Sequence, residues 1–223
     1  MKRHLRDEYV LRAQQDGYIS RAAYKLKEIC NKNRSILTNT TLVYDIGAAP
    51  GSWTQLACDA VQATSTRQHV ISVDLLPMQI TPDGSQFVQG DFSCDAVKES
   101  LLSKIQSLYV SNDQSPDDRA QDLKQLCILS DMRSNTSGNK DLDHARQVEL
   151  CEHVLDFSEE ANAIFYSTFG ETTRSAIVLK MTMGQDFEAF RSRIRKQFKS
   201  HRIVKPKASR PKSPELYFVA WTW

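Results

Sequence analysis

The chain has 223 residues, 40% of them hydrophobic, with 29 Lys or Arg against 27 Asp or Glu for a formal charge of +2. That length is enough for one α/β domain with a full core, and that composition excludes a disordered chain. No apolar run approaches the roughly 20 residues of a membrane-spanning helix, and the five cysteines, Cys30, Cys58, Cys94, Cys127 and Cys151, are scattered with no CxxC pair, which disfavours a metal site and a disulfide framework alike. A reducing, cytoplasmic setting is the simplest reading. The basic start, Met1 to Arg6, lacks an apolar signal core. A mitochondrial address is the alternative, opposed by Asp7, Glu8 and Asp16.

In chain order, residues 1–38 read as an N-terminal helical part, with a helix over Ser20–Asn31, ahead of a catalytic sheet in residues 39–223. A strand at Leu42–Ile46 runs into a glycine turn and then a helix over Ser52–Val61. Strands follow at Val70–Asp74 and Gln86–Val88, then a helix at Ala96–Ser107. The polar, acidic stretch Ser111–Gln121 reads as an exposed insertion. Beyond it the pattern predicts a strand at Leu126–Ser130, a helix at Asp143–Phe157 and a strand at Ala176–Met181. A helix at Asp186–Lys199 and strands at Arg202–Val204 and Leu216–Trp221 complete the chain. Apolar β-rich runs alternating with helical patterns predict an α/β fold: one mostly parallel, seven-stranded sheet flanked by helices. The last helix carries Phe187, Phe190, Ile194 and Phe198 on one face, which reads as core.

Charge is unevenly placed. Arg191 to Lys212 holds ten Lys or Arg and no Asp or Glu, so the rest of the chain is net negative. Clustered cations fit a polyanionic partner, because they release counterions from a phosphate backbone. A solvated basic helix is the plainer alternative.

Gly47 and Gly51 bracket the turn Asp45-Ile46-Gly47-Ala48-Ala49-Pro50-Gly51-Ser52-Trp53. Glycine lets backbone approach a ligand closely, but GxxxG followed by Trp is not the GxGxxG of a nicotinamide site. Asp74 ends the second strand, where an acid suits ribose hydroxyls. Asp91, in Gly90-Asp91-Phe92, follows the third, placed for an adenine amino group. Helix capping explains any one of these. Together, at successive strand ends, they point to a nucleoside cofactor without a pyrophosphate. S-adenosyl-L-methionine fits, with Asp45 near its cationic end.

Asp131 and Lys180 each end an apolar run, where open α/β sheets place their ligands. Lys25 and Glu215 are two further polar residues that read as aimed at the same place. A ribose 2′-hydroxyl is a poor nucleophile, so methylating it requires alignment and removal of a proton. A lysine serves as base only when burial or a neighbouring cation depresses its pKa. Lys180 is the candidate, with Lys25 as the second cation and Asp131 and Glu215 orienting both. A buried salt-bridge cluster tying the N-terminal helix to the sheet is the structural alternative.

The stretch Asp16-Gly17-Tyr18-Ile19-Ser20-Arg21-Ala22-Ala23-Tyr24-Lys25-Leu26, the Asp45–Trp53 turn, Ser130-Asp131-Met132, Val178-Leu179-Lys180 and Ser213-Pro214-Glu215-Leu216-Tyr217 together resemble the FtsJ/RrmJ group of ribosomal RNA 2′-O-methyltransferases. The resemblance implies a Rossmann-like methyltransferase domain using S-adenosyl-L-methionine; no metal is expected, as the cysteine spacing already suggests. It implies a tetrad of Lys25, Asp131, Lys180 and Glu215, with Lys180 accepting the proton. It places cofactor contacts at Gly51, Trp53, Asp74, Asp91 and Asp131. In the bacterial branch the substrate is a uridine in the A-loop of large-subunit rRNA, in the assembled ribosomal subunit. Ser52 stands where that branch has a second glycine, and Arg133-Ser134 where an apolar or small residue and a proline are usual; both bear on the RNA target.

The expected partner is therefore large-subunit rRNA or the large ribosomal subunit, with the protein a monomer and no membrane involved. The Arg191–Lys212 stretch and Lys2, Arg3, Arg6, Arg12 and Arg21 would grip phosphates, and Tyr18 or Tyr24 would either stack on a base or pack in the core. A tRNA anticodon-loop or cap ribose methyltransferase is the nearest alternative, which the end of the chain at Trp223 disfavours. A non-catalytic ribosome-assembly factor is another, opposed by the intact tetrad. A small-molecule methyltransferase would leave the basic stretch without a role.

Overall fold

The computed structural model describes residues 7–38, 40–62, 69–110, 124–211 and 213–223. The expected insertion Ser111–Gln121 and the cations Lys2, Arg3, Arg6 and Lys212 lie outside the described residues. Seven strands, β1 (Leu42–Ile46), β2 (His69–Asp74), β3 (Ser85–Gln89), β4 (Lys124–Ser130), β5 (Thr173–Thr182), β6 (Ser200–Val204) and β7 (Glu215–Trp221), form one sheet in the order β3-β2-β1-β4-β5-β7-β6. Strands β1 to β5 pair in parallel, and β7 runs antiparallel to both β5 and β6.

Six α-helices among the described residues cover the sheet: α1 (Glu8–Gln15), α2 (Ala22–Lys32), α3 (Ser52–Gln62), α4 (Asp95–Val110), α5 (Lys140–Phe169) and α6 (Phe187–Gln197). Side-chain alternation along β1 sorts the two faces. Leu42, Tyr44 and Ile46 pack with Leu101 of α4, Phe157 of α5 and Phe190 of α6. Val43, on the other face, packs with Leu26 of α2 and Ala57 of α3. Both faces being covered, the central strands are continuous apolar runs rather than alternating ones. Tyr44 is fully buried, and its hydroxyl donates to the Leu101 carbonyl at 2.6 Å, so the phenol carries no unmet hydrogen bond. The strand order reverses at β1, which lies between β2 and β4. Such a switch point opens a crevice at the carboxyl ends of the strands.

The strands fall where the sequence places them, within three residues at each end. Helix α5 does not: it spans 30 residues, well beyond the expected Asp143–Phe157. The Asn139 side chain caps its start by accepting from the Asp141 and Leu142 N–H groups, and Gly170, at φ 86°, ends it. Ser158-Glu159-Glu160 looks like a terminus, but Ala161 and Phe165 continue the buried stripe at helical spacing. Helix α1 is an element additional to the one expected before Leu42. It begins where the Asp7 carboxylate accepts from the Tyr9 N–H.

The N-terminal helices are locked to the β6–β7 loop. Glu28 accepts the N–H groups of Lys207 at 2.6 Å and Ala208 at 2.9 Å. Arg21 pairs with Asp7 and donates to the Ala208 carbonyl. Trp53 donates its indole N–H to the Ala22 carbonyl at 2.9 Å, joining α3 to α2. Tyr24, 3% exposed, packs against Tyr9 and Tyr18 and donates its hydroxyl to Asp16 at 2.7 Å. It is a core residue, not a platform for a base.

Gln125 fastens the turn before β1 to the sheet. Its buried amide nitrogen lies 2.9 Å from the Ser35 carbonyl, 2.7 Å from that of Ile36 and 3.0 Å from the Thr40 hydroxyl. Replacing it with Leu leaves buried acceptors without a donor. We expect Gln125→Leu to lose about 1–3 kcal/mol of stability in urea denaturation. An unchanged midpoint would show that these acceptors find other partners.

Candidate active site

Four side chains from four elements meet at one end of the sheet. Asp131 follows β4 directly. Because β4 and β5 are parallel, with Ser130 opposite Leu179, it emerges beside Lys180. Strand β7 runs the other way, so its first residues return to the same end: Tyr217 lies opposite Lys180, and Glu215 opposite Thr182. Lys25 comes down from the first turns of α2.

The contacts centre on Asp131. Lys180 Nζ lies 3.0 Å from Asp131 Oδ1 and also donates to the Asp131 carbonyl oxygen. Lys25 Nζ is 3.8 Å from Asp131 Oδ2 and 2.9 Å from Glu215 Oε1. The side chains of all four are largely buried, Lys180 most of all at 6% exposed. Two ammonium groups and two carboxylates make a group of zero formal charge, the condition under which buried ions are tolerated. Burial by itself raises the Glu215 carboxyl, but the Lys25 ammonium and its hydrogen bond, with further donors, outweigh it and hold it below the usual range. Glu215 therefore stays an anion.

Tyr217 is a member of this group for which the residues alone gave no role. Its hydroxyl donates to Asp131 Oδ1 at 2.6 Å, and Lys25 Nζ sits 5.7 Å from its ring centre. Burial, then the charges of Asp131 and Glu215, push its phenol far above the ordinary range, so it acts only as a donor. The available signal was period two along β7, which puts Tyr217 on the same face as Glu215. Gln147 of α5 was likewise unforeseen. Buried at 2% exposure, it donates to the Met132 carbonyl at 3.2 Å and the Lys180 carbonyl at 3.3 Å, bridging the ends of β4 and β5.

A cavity of about 830 Å³ opens beside the tetrad at the switch point, lined in part by Gly47, Asp74, Asp91, Phe92, Asp131 and Met132. Asp131 thus belongs to both the cavity and the tetrad. Asp74 accepts from the Ala49 N–H and the Leu76 N–H, each at 2.8 Å, which fixes its carboxylate at the rim. Asp91 accepts from both the hydroxyl and the N–H of Ser93, and these bonds hold its pKa low. Gly47 has φ 78°, and a Cβ there would stand 2.1 Å from Met132 Cγ. Gly51 and Trp53 are not on the cavity wall. Gly51, at φ 116°, faces Ile19, Met78 and the Ile80 carbonyl, and Trp53 is buried between α2 and the sheet. They shape the turn and seat α3.

A family model, FtsJ-like methyltransferase, matches residues 18–223. The chain belongs to that family. A curated relative, ribosomal RNA large subunit methyltransferase E of Acinetobacter baumannii, is 38% identical over 219 residues, covering 98% of this chain and 88% of the relative. The protein of the same name from Psychrobacter arcticus is 37% identical over 220 residues, covering 99% and 91%. Among solved structures, a putative ribosomal RNA methyltransferase from Plasmodium falciparum superposes with TM-score 0.65 at 25% identity, covering 92% of this chain and 98% of that one. Human methyltransferase-like protein 13, solved with SAH, shares the fold at TM-score 0.50 and 12% identity, with 88% and 81% covered. The chain is an S-adenosyl-L-methionine-dependent methyltransferase.

The cavity fits that cofactor on its own chemistry. Carboxylates stand at the ends of the strands, suited to hydroxyls and to a cation. Below the glycine turn, Asp45 is fully buried, with one oxygen taking the Thr54 hydroxyl at 2.6 Å and Oδ1 left without a partner.

Burial pushes the Asp45 carboxyl up to about 7 against the pull of the Thr54 hydrogen bond, with the charges of Asp131 and Asp74 adding to the rise. An unfolded chain releases this proton near pH 4 while the folded chain keeps it to about 7. The folded state therefore loses stability as pH rises through that window, and Asn at the site does not titrate. The stability of Asp45→Asn relative to wild type should climb between about pH 4 and 7 and level off above it. A flat difference across that range, in denaturation at stepped pH, would contradict the assignment.

Proposed function

We propose that this chain methylates a ribose 2′-hydroxyl of large-subunit ribosomal RNA, a uridine of the A-loop in the finest form of the reading. The observation that carries it is Asp131, which lines the cofactor cavity and touches both lysines. The site of the methyl donor and the candidate base meet at a single carboxylate. The relatives named for ribosomal RNA methylation support the substrate class.

In this reading Asp74 takes the cofactor's ribose hydroxyls and Asp91 the adenine amino group. Gly51 shapes the turn that carries the cofactor, Trp53 holds that turn against α2, and Asp131 faces the donor end. When bound, S-adenosyl-L-methionine supplies an electrophilic methyl on a sulfonium. Lys180, as the neutral amine, takes the proton from the 2′-hydroxyl and becomes the ammonium that Asp131 balances. Asp131 aims Lys180 through its carbonyl and Oδ1, and Tyr217 holds that same carboxylate oxygen. Lys25 and Glu215 steady the other side and keep the charge balanced. Residues 7–38 form the N-terminal part of the RNA-contacting surface. Arg21 has a structural share in it, already paired with Asp7, which leaves the Arg191–Lys212 stretch as the main grip on phosphate.

The test is transfer of labelled methyl to large subunits from cells lacking this protein, to free rRNA and to bulk tRNA, with the modified ribose mapped by resistance to alkali. One resistant ribose in the large subunit is expected. Label in tRNA alone would overturn the substrate. Lys180→Ala should lower transfer by about 10²–10⁴-fold, with cofactor binding by calorimetry retained. Wild-type turnover in Lys180→Ala would remove Lys180 as the base.

A further inference from the structure

We infer where that phosphate grip is built: a cationic cleft at the β6 edge of the sheet, joining Lys32 of α2 to part of the Arg191–Lys212 stretch, anchors the substrate strand away from the reacting ribose. It rests on the reading that RNA is the substrate. The cleft, about 510 Å³, is lined by Lys32 and Asn33 from α2, Arg191 from α6, and His201, Arg202 and Lys205 from β6 and its end. No Asp or Glu lines it. The cations converge from α2 and, far along the chain, from the consecutive elements α6 and β6, and neutral groups hold most of them in place. Arg202 donates to Asn33 Oδ1 at 3.3 Å and lies 5.6 Å over the Trp221 ring. Lys205 donates to the Ser213 carbonyl at 3.0 Å, and Arg191 donates through Nε to His201 Nε2 at 3.3 Å. Arg191 also faces Glu188 at 3.4 Å, a side chain 71% exposed. Charges fixed this way stay available to an anion and lose little freedom on binding it.

The cleft is in line with the tetrad. Val204 pairs with Tyr217, and Tyr217 with Lys180, so the three lie in one row across β6, β7 and β5. Two strand spacings separate the backbone at Val204 from that at Lys180, about 10 Å along the sheet. A phosphate backbone seated at β6 is thus within a few nucleotides of a ribose at Lys180. Cations on an edge strand also deter strand pairing between molecules, but that role needs neither Lys32 of α2 nor Arg191 of α6. An RNA backbone engages all of them.

The test compares wild type with Lys32→Gln/Arg191→Gln/Arg202→Gln on two RNAs: a long fragment around the methylated position, and one trimmed to the nucleotides next to it. Kd is measured across a salt series. For the long fragment we expect binding at least about tenfold weaker and a log–log salt slope shallower by about 2, near 0.7 per phosphate contact. The trimmed fragment should bind both proteins alike, and KM for the long one should rise with kcat held. Arg191→Lys/Arg202→Lys should keep most of the affinity. Lys32→Gln alone, a change at an exposed position, covers the case in which the triple variant fails to fold, with a slope loss of about 0.7. A folded variant with wild-type affinity and slope on the long fragment overturns the cleft and leaves it an edge-protecting feature. Wild type that methylates no RNA would instead defeat the proposed function itself.

Discussion

Everything at the active end of this protein depends on the Asp131 carboxylate. It is an anion in a largely buried place, and such a charge persists only with partners. It has three: the Lys180 ammonium, the Lys25 ammonium and the Tyr217 hydroxyl, while Glu215 balances the charge of Lys25. Removing any one would leave the others over-charged or unpaired, so the group behaves as a unit. Its members come from α2, β4, β5 and β7, so the fold must be nearly complete before the ions balance.

The sheet makes that convergence possible. Parallel β4 and β5 deliver Asp131 and Lys180 side by side, and only a reversed β7 can return Glu215 and Tyr217 to the same end. Gln147 then fixes the spacing by donating to the backbone of both strand ends from α5. The loop between β4 and α5 is held from the same helix. The Ser134 N–H donates to Gln147, and Asp143 accepts from the N–H groups of Ser137 and Gly138. Ser134 thus holds its loop through a backbone N–H that a proline would lack, while Arg133 lines the cavity.

The strands were legible as apolar runs, and Asp131 and Lys180 because each ends one: burial at the end of a parallel strand leaves a charge only one direction to face; Lys25 and Glu215 carried no such signal of their own and entered through the resemblance. Asp74 and Asp91 were legible for the same reason, and both line the cavity. What was not legible involved contacts between elements. Tyr217 reads as a β-propensity residue in an apolar strand, and Gln147 as one polar position on a long helix. Only the sheet order puts the first under Asp131 and only helix docking puts the second over Lys180. Trp53, which the resemblance offers as a cofactor contact, is seated under the turn and not on the cavity wall. Its ring packs near Tyr217 and its N–H is spent on Ala22, contacts that only the docking of α2 reveals. The length of α5 was hidden because Ser158, a helix-terminus signal, is buried and donates to the Leu155 carbonyl within the helix.

Across the sheet, charge follows strand order. Asp91, Asp74 and Asp131 stand at or just after the ends of β3, β2 and β4 and line the cavity. Lys180 stands on β5, and past β7 the edge turns cationic with Arg202 and Lys205. A methyl donor that carries a positive charge and an acceptor strand that carries negative charges need opposite surroundings. A uniformly basic surface would hold the acceptor and repel the donor. Segregation along the sheet avoids the conflict, and it places the neutral tetrad at the boundary. There the two reactants can be brought together without either entering a field that opposes it.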